Sequence, residues 1–307
     1  MKAVNHEVNL DLPLAAVALD RDALSRTKPN FLDELWSNDD VQVVVLYQQT
    51  TLVTSDSGLK LFRPSQLAGV APTAYLGKSL EDGRQYVLAV LNEHSAKALE
   101  PDELEWHQLR KTGLGLSAAD ASIFAQGLAL ANWHETHGFC PTCGSATEVT
   151  SAGWVRRCLA EGRELFPRTD PAVIVGILDD QDRILLGSQG AWESNRFSIL
   201  AGFVEPGESL EAAVIREMNE EAGIIVADPK FVGSQAWPYP YSLMFGFTAR
   251  YVSGDVVPDG EEIVKLRWFS REELLSEAQT LLLPGRMSIA RAIIEHWLGQ
   301  SVKDSND

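Results

Sequence analysis

The stretch from Gly202 to Ile224, GFVEPGESLEAAVIREMNEEAGI, constrains the chain more than any other. Gly207 closes a turn after Pro206, Ser209 is a good N-cap, and residues 210–222 are good helix formers. Gly223 then stops the helix, since glycine tolerates the left-handed C′ position. The preceding SILAGFV reads as a strand, so the unit is strand, turn, helix. Leu210, Ala213, Val214 and Met218 form one apolar stripe, and Glu217, Glu220 and Glu221 share the next. Like charges so spaced destabilise a helix by about 0.2–0.5 kcal/mol per pair. Near the C-terminus the macrodipole disfavours them further. A solvated acidic face is the plain reading; the chemical one is that a hard divalent cation such as Mg²⁺ offsets these oxygens. Arg216 can reach back to Glu208 or to a member of the stripe.

The rest of the chain divides into three pieces by pattern. Before residue 138, VQVVVLY (41–47), TTLVT (50–54) and RQYVLAVLN (84–92) read as strands, and residues 118–137 as one helix. A cysteine-bearing segment follows at 138–168. From 169, PAVIVGIL and RILLGSQ form a hairpin-like pair, LMFGFTARYV (243–252) and VKLRWFS (264–270) are strands, and SIARAIIEHWLG is an amphipathic helix. GSQAWPYPYS reads as a loop rich in proline and aromatic residues, and no internal repeat is visible. The expected organisation is an N-terminal α/β domain at 1–137, a ribbon at 138–168, a mixed α/β domain at 169–300 and a frayed tail at 301–307. The fold class is α/β, mixed with α+β.

Cys140, Cys143 and Cys158 are too few, and odd in number, for an extracellular disulfide set, which makes the cytoplasm the expected compartment. Their spacing is that of a zinc ribbon whose fourth position, 161, holds Glu161. His134 and His137 are alternative donors, and a ribbon that folds without metal is the remaining reading. With 26 Lys+Arg against 43 Asp+Glu, the net charge of −17 disfavours broad nucleic-acid binding. It permits a phosphate substrate that arrives with divalent metal. No window approaches the ~18 consecutive apolar residues of a membrane span, and Met1–Asn9 lacks a leader pattern.

Gly202, Glu208, Arg216, Glu217, Met218, Glu220, Glu221, Gly223 and Ile224 fill G-x5-E-x7-R-E-[apolar]-x-E-E-x-G-[apolar]. This spacing resembles the Nudix box of hydrolases that cleave nucleoside diphosphates linked to another group. The resemblance implies a mixed sheet between helices. It also implies Mg²⁺ or Mn²⁺ held by Glu217, Glu221 and the carbonyl of Ala201, with Glu220 nearby as a catalytic carboxylate. Glu262, in DGEEIVKLRWF, matches a further metal ligand.

Ser234 to Ser242, SQAWPYPYS, resembles the S-Q-P-W-P-F-P-x-S motif of the NADH pyrophosphatase subgroup, with Ala236 for Pro and Tyr239 for Phe. That likeness implies that Gln235, Ala236, Trp237, Pro238, Tyr239, Pro240, Tyr241 and Ser242 grip a planar ring and its amide. Phe166 and Phe203 are the implied stacking rings, Ala290 a late backbone contact, and Arg110 a substrate-contacting arginine. Gly153 stands where some members carry an acidic contact. The implied activity is hydrolysis of NADH or NAD⁺ to NMN(H) and AMP, with removal of NAD caps from RNA 5′ ends by the same bond cleavage. The implied assembly is a homodimer. Two rival readings are a hydrolase of ADP-ribose, diadenosine polyphosphate or FAD, and a non-catalytic nucleotide-binding module.

Overall fold

The fold is that of a computed structural model, which describes residues 10, 12, 14–303 and 305. The leader reading at Met1–Asn9 and most of the tail after Lys303 lie outside the described residues. Two compact units emerge. One joins Leu14–Thr169 with Trp237–Tyr241; the other joins Met1–Pro13, Asp170–Ala236 and Ser242–Asp307.

In the first unit the strands are β1 (Leu19–Asp20), β2 (Gln42–Leu46), β3 (Thr50–Leu52), β4 (Ala74–Ser79), β5 (Gln85–Val90) and β6 (Trp106–Gln108). Its helices are α1 (Phe31–Trp36), α2 (Glu93–Leu99), α3 (Leu109–Thr112) and α4 (Ala118–Thr136). β2 runs parallel to β5, which explains its unbroken apolar run: Val43 to Leu46 are all buried. β5 pairs antiparallel with β4, and β3 with β6. The ribbon adds β7 (Thr147–Thr150), β8 (Val155–Cys158) and β9 (Glu164–Leu165) as an antiparallel meander. α4 is capped by Ser117 and buries Phe124, Leu128 and Trp133 along with the polar Asn132.

The second unit carries β10 (Asp170–Leu178), β11 (Ile184–Gln189), β12 (Leu200–Phe203), β13 (Ile225–Trp237), β14 (Ser242–Ser253) and β15 (Ile263–Phe269). Its helices are α5 (Leu210–Ala222), α6 (Arg271–Glu277) and α7 (Ile289–Leu298). The strand order is β13-β14-β10-β11-β15, with β12 paired to β10. β10 is parallel to β14 and antiparallel to β12 and β11, so the sheet is mixed. One core cluster joins Val173, Val175 and Leu200 to Ala213, Val214 and Met218 of α5. Another joins Ile184 and Phe269 to Ile289, Ile293 and Trp297 of α7. The sheet therefore lies between helices.

Two expectations are corrected. The GSQAWPYPYS stretch is not a loop throughout: β13 runs to Trp237 and β14 starts at Ser242, leaving a tight turn at Pro238–Tyr241. Pro238 supplies no N–H and so ends the ladder there. There is also an internal repeat of topology. Parallel β2 and β5, with β4 beside β5, match parallel β10 and β14, with β13 beside β14; β3 and β6 pair as a separate two-stranded sheet, whereas β11 and β15 extend theirs. Shared topology needs only compatible apolar patterns, so it leaves no period in the residues. The first unit has no counterpart of α5: only a short 3₁₀ turn, Pro64–Gln66, stands between β3 and β4.

Candidate active site

α5 begins at Ser209, whose hydroxyl accepts from the N–H of Ala212, and ends at Gly223 with φ of 67°. Ala213, Val214 and Met218 are fully buried on the sheet. That docking places Glu217 and Glu221 inward, 9% and 5% exposed, while Glu220 stays exposed. The Glu217 carboxyl lies directly over Gly202: a Cβ built there would meet its Cδ at 2.0 Å and its oxygens at 2.1 and 2.3 Å. Gly202 is thus required by close approach. Ala201, one residue earlier in β12, stands opposite Ile174 of β10.

Arg216 supplies much of the positive charge the helix needs. Its guanidinium donates to Glu208 at 2.6 Å, to Glu217 and Glu220 at 2.8 Å each, and to the Phe203 carbonyl at 2.9 Å. It does not reach Glu221, whose Oε2 is buried without a partner. Burial, then the charges of Glu262, Glu217, Asp259 and Glu220, push the Glu221 carboxyl up to about 8. Burial also raises Glu217. An orphaned carboxylate oxygen beside other acidic groups fits a divalent cation, since hard cations take oxygen ligands. Glu217, Glu221, Glu262 and the Ala201 carbonyl are the residues that would hold it.

The Glu262 loop is tied to the end of α5. Val257 N–H donates to the Ala222 carbonyl and Asp259 N–H to that of Glu221. Asp259 Oδ1 accepts from the N–H groups of Glu261, Glu262 and Ile263, and Gln189 Nε2 reaches Glu262 at 3.2 Å. Asp259 opens DGEEIVKLRWF but is none of the site residues named above. Its signal was there, because Asp-Gly is a turn pair whose carboxylate caps the N–H groups that follow.

The raised Glu221 gives a pH prediction. Its value lies near 4.5 in an unfolded chain and near 8 in the fold, so the folded state binds the extra proton. Stability of metal-free protein is then full below the lower value and falls as pH rises through the upper. Thermal midpoints should drop across that window, and Mg²⁺ should recover more of the loss at its alkaline end. A Glu221→Gln variant should flatten the profile; an unchanged profile would refute the assignment.

The other predicted positions fall in distinct environments. Phe203 and Phe166 are 59% and 63% exposed, so both rings are open to stack on a ligand. Gln235 is 1% exposed; its Nε2 donates to the Met287 carbonyl and its Oε1 accepts from Ile289 N–H. This amide anchors the start of α7. Ala290 is buried, with its N–H on the Ser288 hydroxyl. Trp237 and Tyr239 form an edge-on pair 5.2 Å apart at the turn, and the Arg110 guanidinium lies 3.8 Å from the Tyr239 ring centroid. Pro238 is buried, Ala236 and Pro240 are exposed, and Tyr241 and Ser242 are half-buried.

In the ribbon, Cys140, Cys143, Cys158 and Glu161 bring their ligand atoms within 4.8 Å of one another. The arrangement is two matching knuckles. Cys140 N–H donates to Ser145 and Gly144 N–H returns to Cys140; Cys158 N–H donates to Arg163 and Gly162 N–H returns to Cys158. Gly144 and Gly162 both have positive φ, at 74° and 69°. Glu161 thus occupies the place that Cys143 holds in its own knuckle, and the donor set fits tetrahedral Zn²⁺. The N–H groups of Cys143 and Thr142 pull the Cys140 thiol down to about 7. His134 is no ligand. Its Nε2 donates to the Gly153 carbonyl, its Nδ1 accepts from Arg156, and burial pushes it down to about 4. Purified protein should carry one zinc per chain, and Glu161→Ala should weaken zinc by about tenfold or more in a chelator competition. Unchanged affinity would exclude Glu161 as a ligand.

Residues 167–291 match the NUDIX domain, with the buried glutamate pair on its helix. The chain carries a Nudix domain over this segment. Ahead of that Nudix domain, residues 135–166 match the NADH pyrophosphatase zinc ribbon domain. Residues 41–133 match the NADH pyrophosphatase-like rudimentary NUDIX domain, in keeping with the repeated topology. The chain is 44% identical over 206 residues to the NAD-capped RNA hydrolase NudC of Mycobacterium tuberculosis (strain ATCC 25618 / H37Rv), covering 62% of this chain and 64% of that protein. It is 39% identical over 199 residues to the human NAD-capped RNA hydrolase NUDT12, covering 60% and 43%. The chain thus spans less than two thirds of the length of these relatives. A crystal structure of a NUDIX hydrolase from Nitrosomonas europaea matches with a TM-score of 0.41 at 22% identity, covering 54% of this chain and 95% of that one. Among the described residues no helix is long and apolar enough to cross a membrane.

Proposed function

We propose that this Nudix protein hydrolyses the pyrophosphate bond of NADH and NAD⁺ to NMN(H) and AMP, and removes NAD caps from RNA 5′ ends by the same cleavage. The observation that carries hydrolysis is the buried Glu217–Glu221 pair with an unpartnered Glu221 oxygen. Support for the substrate comes from the zinc ribbon and the rudimentary Nudix domain of NADH pyrophosphatases, the WPYPY turn, and relatives that are named NAD-capped RNA hydrolases. A regulatory, non-catalytic reading is disfavoured because every box glutamate is present.

Glu217, Glu221, Glu262 and the Ala201 carbonyl would hold Mg²⁺ or Mn²⁺. When bound, the cation supplies Lewis-acid polarisation of the phosphates and a water of lowered pKa. The chain's own part begins with Arg216, which keeps Glu208, Glu217 and Glu220 in fixed positions. A carboxylate of this cluster accepts the proton of the attacking water. The water oxygen bonds to one phosphorus, the bridging P–O bond breaks, and the second phosphate leaves on its nucleotide. Trp237, Tyr239 and Tyr241 hold the nicotinamide half, with Phe166, Phe203 and Arg110 as further substrate contacts. The division at 137/138 and 168/169, a cytoplasmic location and a homodimer complete the proposal. They rest on the residues and the resemblance, and sedimentation of the purified chain tests the dimer.

The deciding experiment incubates the protein with NADH, NAD⁺, ADP-ribose and NAD-capped RNA in Mg²⁺ or Mn²⁺ and identifies the products. NMNH with AMP from NADH, and a 5′-monophosphate RNA from capped RNA, are expected. Cleavage of ADP-ribose without cleavage of NADH would overturn the substrate reading.

A further inference from the structure

The Pro238–Tyr241 turn is short of main-chain donors, because its prolines have no N–H. Its carbonyls are instead held by a side chain from α4. Asn132 is 4% exposed, and its Nδ2 donates to the Pro238 carbonyl at 3.0 Å and to the Pro240 carbonyl at 3.1 Å. A buried amide inside a helix is costly unless its polar atoms are engaged. Here one planar NH₂ group spans the carbonyls on either side of Tyr239, so it fixes that residue's backbone from both ends. Two neighbours act on adjacent positions. Arg110 donates its main-chain N–H to the Tyr239 hydroxyl at 3.1 Å, and its guanidinium lies 5.1 Å from the Trp237 ring centroid. Thr136, one helical turn beyond Asn132, shares a 2.7 Å hydrogen bond with the Tyr241 hydroxyl.

We propose that Asn132 is a positioning residue for substrate recognition: it sets the backbone of the Pro238–Tyr241 turn so that the Trp237 and Tyr239 rings are held ready for the nicotinamide half of the dinucleotide. The proposal rests on the reading of this turn as the nicotinamide grip. Asn132 spends its donor group on the turn's carbonyls, so its loss is felt in binding of one half of the substrate and not in the chemical step.

The test compares wild type with Asn132→Leu, which keeps size and removes the donor, and with Asn132→Gln, which keeps an amide. Losing both bonds should raise KM for NADH about tenfold, with kcat within about twofold of wild type. Product inhibition reads the two halves separately: the Ki of NMNH should rise in parallel with KM, while that of AMP stays constant. The Gln variant should regain part of the loss. Hydrogen exchange across residues 237–242 should quicken in the Leu variant, a readout independent of turnover. Unchanged KM in the Leu variant, or Ki values for NMNH and AMP that rise together, would overturn the positioning role. A wild-type protein inert toward NADH would instead overturn the substrate reading and the recognition role with it.

Discussion

Glu217→Gln should lower kcat/KM for NADH by on the order of 10²–10³-fold while leaving the fold intact. The size follows from the site's position, out of water, where a fixed charge counts for more than at a surface. The intact fold follows from the same burial. Glu217 is 9% exposed and burial already raises its carboxyl, so a neutral amide of the same shape is no harder to bury. Arg216 keeps Glu208 and Glu220 as partners, so the variant does not strand a half-buried cation. The measurement is steady-state kinetics in saturating Mg²⁺, with thermal melts with and without metal. The melts should coincide without metal, and the Mg²⁺-induced rise in midpoint should shrink. Near-wild-type turnover would remove Glu217 from the metal set.

Gly202→Ala should be nearly as damaging although it adds one methyl group and alters no charge. Its Cβ would fall 2.0 Å from Glu217 Cδ, well inside the 3.0 Å below which something must shift. The strand has little room to yield, since Gly202 sits between Ala201 and Phe203 in register with β10. The carboxyl must therefore move, breaking its 2.8 Å bond to Arg216 and leaving its ligand position. A loss of about 10²-fold in turnover is expected, because a misplacement of about 1 Å at a reacting centre costs that much. If the two residues act as a unit, adding Gly202→Ala to Glu217→Gln should cost far less than the product of the single losses. Fully multiplicative losses would show that the glycine acts elsewhere.

The acidic site was legible because its rules are local. Ser209, the apolar stripe and Gly223 specify α5 within a few residues, and the box glutamates follow from helical spacing. What the spacing could not say is how they divide: Glu217 and Glu221 turn inward and Glu220 outward only because Val214 and Met218 dock on the sheet. Glu161 was equally ambiguous against His134. The choice came from paired knuckles and from a histidine whose ring nitrogens are both engaged. Gln235 was placed in the recognition motif, yet β13 continues through it and turns its amide onto residues 52 and 54 positions away. The hairpin is not legible as one in the residues, because its prolines and aromatics resemble a loop until the pairing partners are known.

By itself, then, the sequence determined the strand–turn–helix unit and the chemical character of the acidic and cysteine clusters. Each depends on interactions a few residues long. Tertiary structure alone decided the unpartnered oxygen of Glu221, the repeated strand order and the hold of Asn132 on carbonyls 106 and 108 residues away. Burial and long-range hydrogen bonds depend on which surfaces meet, and no local periodicity carries that information.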